Sequence, residues 1–307
     1  MKKEEKSESN DLEDCTIAIH KPKKWLIVLL SGLFLVVIAC MALVKFNIIG
    51  KGNHAGRPET PEKTIAVLPF MNESSDTGNV YFINGVMEDI LDNLQKISDL
   101  RVASLTSVEQ YKNKTRPSLP ELAKKLNVNY IVEGSGQKSG NKLVLRVQLV
   151  AADNEKRLWG ESYEKEIKEP KNIYNIQSRI TKSVASELKA GITHEEKKLI
   201  DKIPAINLTA YDFYQRGRNE LNNYWNGESD YANSKNARKA EDLFRKALEY
   251  DSTVAQAYVG LAWIYLDKYY LSLKLLDTVL ILTGFALSYD DQLAEAYYIK
   301  GNYYRRI

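Results

Sequence analysis

The chain is poor in the side chains that metals and nucleophilic chemistry use. Its 307 residues include two cysteines, Cys15 and Cys40, and three histidines, His20, His54 and His194. Both cysteines precede the segments with a folding pattern, so neither a disulfide nor a cysteine-based metal site is expected inside them. The histidines fall in a tail, a linker and a helix between two domains, too scattered to converge on one ion. His194-Glu-Glu-Lys-Lys198 lacks the second histidine of the zinc-protease frame. No nucleophile–base pairing is readable. Gly134-Ser135-Gly136 is followed by neither phosphate-loop pattern, and Ser135 lacks the Gly-x-Ser-x-Gly frame of a nucleophile elbow. A turn between strands is expected there instead. A formal net charge of +3 is small for this length and speaks against nucleic acid as a partner. These absences predict a protein that is not an enzyme and needs no cofactor.

What is present begins with an apolar run. Trp25 to Val44 carries no charge and is interrupted only by Ser31 and Gly32. As a helix it spans about 30 Å, the thickness of a hydrocarbon core. A cleaved signal peptide would have a shorter core, and six acidic residues in the leading tail also argue against one. Val37-Ile38-Ala39-Cys40 has the shape of a lipobox, but Met41-Ala-Leu-Val44 continues the apolar run past the cysteine. An uncleaved single span contacting the lipid bilayer is therefore expected, and acylation of Cys40 stays open. Lys21, Lys23 and Lys24 precede the span, while Lys45, Lys51 and Arg57 follow it, so the positive-inside count is nearly tied. The simpler topology has residues 1–24 as a short cytoplasmic tail and the large C-terminal part translocated. Residues 45–63, with Gly, Pro and charge but no periodicity, read as a linker.

Residues 64–190 read as an α/β domain with a mixed sheet. Thr64-Ile-Ala-Val-Leu-Pro69 is an apolar run closed by proline, the pattern of a buried strand. Met71 to Asn79 is a polar loop, and Ile83, Val86, Ile90, Leu91 and Leu94 recur at helical spacing to about Lys96. Glu88 and Asp89 are expected on the solvent side of that helix. Further strands are predicted at Leu100–Ala103, Tyr130–Glu133, Asn141–Ala151 and Arg157–Tyr163. Helices are predicted at Leu119–Leu126 and Ile173–Leu188, with Gly140-Asn141 as a hairpin turn. Trp159 and Tyr163 share one strand face, as sheet packing requires. The order predicts helices gathered on one side of the sheet.

The series IAVLPF at Ile65–Phe70, YFINGV with EDIL at Tyr81–Leu91, ELAKKL at Glu121–Leu126, YIVEGS at Tyr130–Ser135, VQLV at Val147–Val150 and LWGESY at Leu158–Tyr163 resembles the TolB N-terminal-like (FlgO-like) domain. The resemblance implies a bacterial envelope or membrane-anchored module, often carried on regulators and cyclases, with no catalytic chemistry of its own. In such proteins an effector domain usually precedes the span. Here 24 residues do, too few for a DNA-binding or cyclase domain.

Residues 205–307 read as an all-α repeat domain. Ala210-Tyr-Asp-Phe-Tyr-Gln-Arg-Gly217 aligns with Ala255-Gln-Ala-Tyr-Val-Gly-Leu-Ala262 and Ala294-Glu-Ala-Tyr-Tyr-Ile-Lys-Gly301, and Ala247 with Asp251 is echoed by Ala286 with Asp290. These resemble tetratricopeptide (TPR) repeats with insertions in their turns. The third unit stops after one helix, so a chain shorter than its relatives is expected. The resemblance places Tyr211, Tyr214, Arg218, Gln256, Val259, Trp263, Glu295, Tyr298 and Asn302 along a concave groove. Tyr, Trp and Arg give it the composition of a protein or peptide hot spot, although the same residues can instead cover neighbouring helices. The sequence thus predicts a non-catalytic, membrane-anchored sensor or scaffold of the bacterial inner membrane, with its bulk in the periplasm and a protein partner in the groove. The alternative is the sensory half of a membrane-bound transcription regulator or nucleotide cyclase.

Overall fold

The computed structural model describes residues 62–74, 77–111, 117–227, 234–268 and 274–306. The expected tail, membrane span and all but the last two linker residues lie outside them. Among the described residues no helix is long and apolar enough to cross a membrane.

Six strands form one mixed sheet: β1 (Thr64–Val67), β2 (Met71–Asn72), β3 (Arg101–Val102), β4 (Tyr130–Ser139), β5 (Lys142–Ala151) and β6 (Lys156–Glu166). The order is β3-β1-β4-β5-β6. β1 pairs in parallel with the first part of β4, through Ile65 opposite Tyr130, and β2 pairs with its second part, through Met71 opposite Ser135. β4, β5 and β6 are antiparallel neighbours. Ser139 pairs with Lys142 across Gly140-Asn141, and Gly140 takes a φ of +55°, as a two-residue hairpin with glycine first requires.

The helices are α1 (Val80–Gln95), α2 (Leu105–Glu109), α3 (Leu119–Leu126), α4 (Pro170–Glu187), α5 (His194–Ile200), α6 (Leu208–Gly227), α7 (Lys235–Tyr250), α8 (Ala255–Lys268), α9 (Lys274–Tyr289) and α10 (Ala294–Arg306). Their placement departs from the expected one-sided arrangement. β3 and β4 lie on opposite sides of β1, so right-handed crossovers put α1 and α3 on opposite faces of the sheet. All four residues of β1 are accordingly buried, although successive side chains point to opposite faces. Toward β5 only one face is covered: Leu143, Leu145, Val147 and Leu149 are buried while Arg146 is exposed. Trp159 and Tyr163 pair with Leu149 and Leu145 and share that covered face.

Gly134-Ser135-Gly136 is not a turn; it lies inside β4. A Cβ on Gly136 would stand 2.7 Å from Ile83 Cδ1, so the missing side chain lets α1 settle onto the sheet. In the C-terminal part the ring of Phe244 from α7 is gripped by two glycines. A Cβ on Gly217 of α6 or Gly260 of α8 would come within 2.8 or 2.4 Å of it. The Asp251 and Asp290 turns are built alike: their amides donate to Ala247 O (3.0 Å) and Ala286 O (2.9 Å). Each carboxylate accepts a backbone N–H two residues on, from Thr253 and Gln292.

Sheet and helices are not separate bodies. Residues 60–307 form one unit of packing, and a continuous apolar cluster runs from Ile65 in β1 to Ile264 in α8. Helix α5 fastens the bridge between them. Its Thr193 Oγ1 accepts the Glu196 N–H at 3.2 Å, and Glu196 accepts from Thr193 N–H and from Ser98 N–H, both at 2.8 Å. Those backbone donors hold the Glu196 carboxyl down at about 2. A carboxyl lowered from about 4.3 in the unfolded chain stabilises the fold above that value and loses the contribution as pH falls toward 2. Glu196→Gln is therefore expected to flatten the pH dependence of urea unfolding between roughly pH 4.3 and 2, with the neutral-pH stability lowered.

Candidate functional site

Helix α1 is amphipathic, but both of its faces are covered. Ile83, Val86, Met87, Ile90, Leu91 and Leu94 are buried in the apolar core. The opposite face carries Gly85, Glu88, Asp89 and Asp92, and α6 packs across it. Gly85 permits the approach: a Cβ there would meet Gln215 Oε1 at 2.1 Å. The expectation that Glu88 and Asp89 are solvated is overturned, since their side chains are 4% and 16% exposed. Carboxylates this deep require counter-charge and hydrogen bonds; α6 supplies the charge, and α6 and α4 supply the hydrogen bonds.

Arg218 supplies the charge. Its Nε stands 2.6 Å from Glu88 Oε2, Nη1 2.5 Å from Asp89 Oδ1 and Nη2 3.0 Å from Asp92 Oδ2. Asp89 Oδ2 also accepts from Gln177 Nε2 of α4 at 2.8 Å and Gln215 Nε2 of α6 at 3.0 Å. Glu88 Oε1 accepts from Asn222 Nδ2 at 3.1 Å. Burial alone opposes the guanidinium charge, but Glu88, Tyr214, Asp92 and Asp89 together hold Arg218 well above its ordinary value. Tyr211 and Tyr174 pack edge to face with ring centres 5.5 Å apart, and burial raises both phenols well above their usual range, keeping them protonated.

The nine groove residues therefore divide. Tyr211 is fully buried under α1, Arg218 is engaged by three carboxylates, and Val259 is buried in the second apolar cluster. Tyr214 packs on Phe244, ring centres 6.2 Å apart, and with Gln256 lines a small cavity of about 80 Å³ beside Asp89, Lys96 and Gln177. The remaining four stay toward the open side. Trp263 Nε1 donates to Glu295 Oε1 at 2.6 Å, its ring lies 5.7 Å from that of Tyr298, and Asn302 Nδ2 donates to Tyr298 O at 3.2 Å. Sequence reasoning missed Trp225, 47% exposed and edge-on to Trp263 at 5.6 Å. It also missed Glu88, Asp89 and Asp92. The one available signal was Gln215 and Asn222 beside Tyr211 and Arg218 on a single helical stripe of α6, polar groups at spacing that faces a neighbour.

A wider cleft of about 560 Å³ lies between β6 and α4, lined by Trp159, Ser178, Arg179, Lys182 and Asp201. Lys182 pairs there with Asp201, and Arg179 with Glu161 of the sheet at 2.5 Å. Among the described residues no group of three His, Cys, Asp or Glu side chains is placed to hold a metal ion.

Residues 61–183 match the family described as "HilA/YgeH-like transcriptional regulator, second domain". Over 213 residues the chain is 29% identical to "Putative adenylate cyclase 3" of Rhizobium meliloti (strain 1021), covering 69% of this chain and 34% of that protein. The chain thus spans about a third of the length of that curated relative. Two solved structures are similar at a TM-score of 0.31: lipoprotein GNA1162 from Neisseria meningitidis, at 17% identity over 43% of this chain and 99% of that one, and TolB from Acinetobacter baumannii, at 16% identity over 42% and 29%. At these scores the structural likeness is loose.

Removing one partner of a buried charge cluster leaves the others uncompensated, which costs about 3–5 kcal/mol. Arg218→Met is expected to lower the unfolding free energy by about that amount, read by urea denaturation. Adding Glu88→Gln and Asp89→Asn is expected to restore part of the loss, because the orphaned charges are then gone.

Proposed function

We propose that the described part of this chain is a non-catalytic regulatory module that binds a protein partner. In this reading the α/β domain and the first helical pair act as one body, and the concave surface left open by Trp225, Trp263, Glu295 and Tyr298 receives the partner. The observation that carries it is the division of the groove residues: Tyr211 and Arg218 of α6 are spent on the chain's own α1, whereas Trp225 at the end of α6 and Tyr298 of α10 stay exposed on either side of the half-buried Trp263. Large aromatics exposed side by side are unusual on a surface with no role in recognition.

The apolar run at Trp25–Val44 supports a single membrane span, with the bulk of the chain on the periplasmic side of a bacterial inner membrane. The resemblance of residues 64–190 to envelope modules agrees with that placement. A second reading has a specific basis. The match of residues 61–183 to a domain of transcriptional regulators, and the relative described as an adenylate cyclase, both favour the sensory half of a regulator or cyclase whose effector lies on another segment or another chain. The two readings share the module and differ in what it controls.

Tyr298→p-benzoylphenylalanine in the full chain, irradiated in cells, tests the partner-binding surface. A cross-link to a second protein that disappears when Trp263→Ala is added is the expected outcome. Intramolecular products alone, or a cross-link indifferent to Trp263, would contradict it.

A further inference from the structure

We infer that the open strip accepts a lysine- or arginine-bearing segment of a partner protein, seated on the faces of Trp225, Trp263 and Tyr298 with its charge toward Asp92 and Glu295. This rests on the protein-binding reading above and narrows it to one class of occupant.

The strip is a row of three rings. Trp225 meets Trp263 at 5.6 Å and 81°, and Trp263 meets Tyr298 at 5.7 Å and 43°. Trp225 and Tyr298 are 47% and 61% exposed, and Trp263 between them is half-buried. Indole and phenol faces attract cations, with Trp the strongest. Elsewhere in the molecule that affinity is used: Arg216 lies 5.0 Å over Tyr81 and Lys268 4.6 Å over Tyr265. Among the described residues no cation covers Trp225, Trp263 or Tyr298.

Charge points the same way. Asp92 and Glu295 are both exposed acidic side chains, and Glu295 stands beside Trp263. Glu295 forms no ion pair among the described residues; its Oε1 is fixed by the Trp263 N–H. The nearby cations are already committed. Arg218 serves Glu88, Asp89 and Asp92. Lys96 Nζ donates to Asn93 Oδ1 at 2.8 Å and Leu199 O at 3.1 Å, and Lys202 pairs with Asp290 at 2.7 Å. An acidic segment would meet like charge here, and a purely apolar one would cover Glu295 without supplying a counter-charge. An ammonium or guanidinium answers both demands.

The labelled full chain, probed on an array of equal-length peptides rich in Lys/Arg, in Asp/Glu or in apolar residues, tests this. The inference expects signal on the basic peptides, reduced about fivefold or more by Trp263→Leu, which is the scale of one lost cation–π contact. Glu295→Gln weakens the same signal, and Glu295→Lys shifts preference toward acidic peptides. Both change an exposed side chain, so they report even if Trp263→Leu misfolds. Binding of acidic or apolar peptides that Trp263→Leu abolishes would overturn the basic-segment inference and leave the protein-binding reading intact. No binding, or binding untouched by every variant, would overturn both. A dimer in light scattering that Trp263→Leu dissolves would make the occupant a second copy and likewise overturn the inference.

Discussion

Arg218 and the carboxylates of α1 form the contact on which the rest of the arrangement depends. A helix that lays its apolar side on a sheet ordinarily gives its charged side to water. Here Glu88, Asp89 and Asp92 are turned toward a second helical element, and one guanidinium answers all three. Around that centre the amide groups of three side chains are aimed at the carboxylates, although Gln177 Oε1 and Gln215 Oε1 are buried without a hydrogen-bond partner among the described residues. Gln177 and Gln215 donate to Asp89, Asn222 donates to Glu88, and Gly85 gives up its side chain so that α6 can come close. A buried charge network adds little net stability over an apolar contact but fixes one geometry, because every displaced register leaves charges unpaired. The orientation of the helical pairs relative to the sheet is thereby specified.

That geometry decides what surface the molecule presents. Because α1 packs on α6, Tyr211 and Arg218 are enclosed, and the exposed aromatic rings lie farther along, at Trp225 and Tyr298. Asp92 of α1 and Glu295 of α10 are exposed acidic groups of the two parts. A partner seated there would touch both parts of the chain. In the proposed reading such a seat suits a regulatory module, since loosening the Arg218 contact would also alter the surface the partner meets.

Local structure was largely legible in the sequence, because local structure is written in local patterns. Helix α3 occupies Leu119–Leu126 as its spacing predicts, and the Gly140-Asn141 turn joins β4 to β5. The failures are non-local. Gly134-Ser135-Gly136 has turn composition, and only partners elsewhere in the chain explain why those residues lie inside a strand: they pair with β5, Gly134 lies against Arg146 O and Phe70, and Gly136 lies against Ile83. Asp89 and Arg218 stand 129 residues apart, so no window along the chain shows that the carboxylates of α1 have a counterion. Without that knowledge a polar helix face reads as solvated. Trp225 escaped notice for a related reason: it falls outside the aligned repeat positions and gains meaning only beside Trp263.

The central claim is that the α/β domain and the first helical pair are one cooperative body held at Arg218. Native-state amide hydrogen exchange compares the two sides of the contact directly. The account predicts that the core amides of α1 and α6 open with the same free energy, and that Arg218→Met lowers both by the same amount. If α6 and α7 opened at a distinctly lower free energy, with α1 unchanged by Arg218→Met, the two parts would be independent and the account would be contradicted.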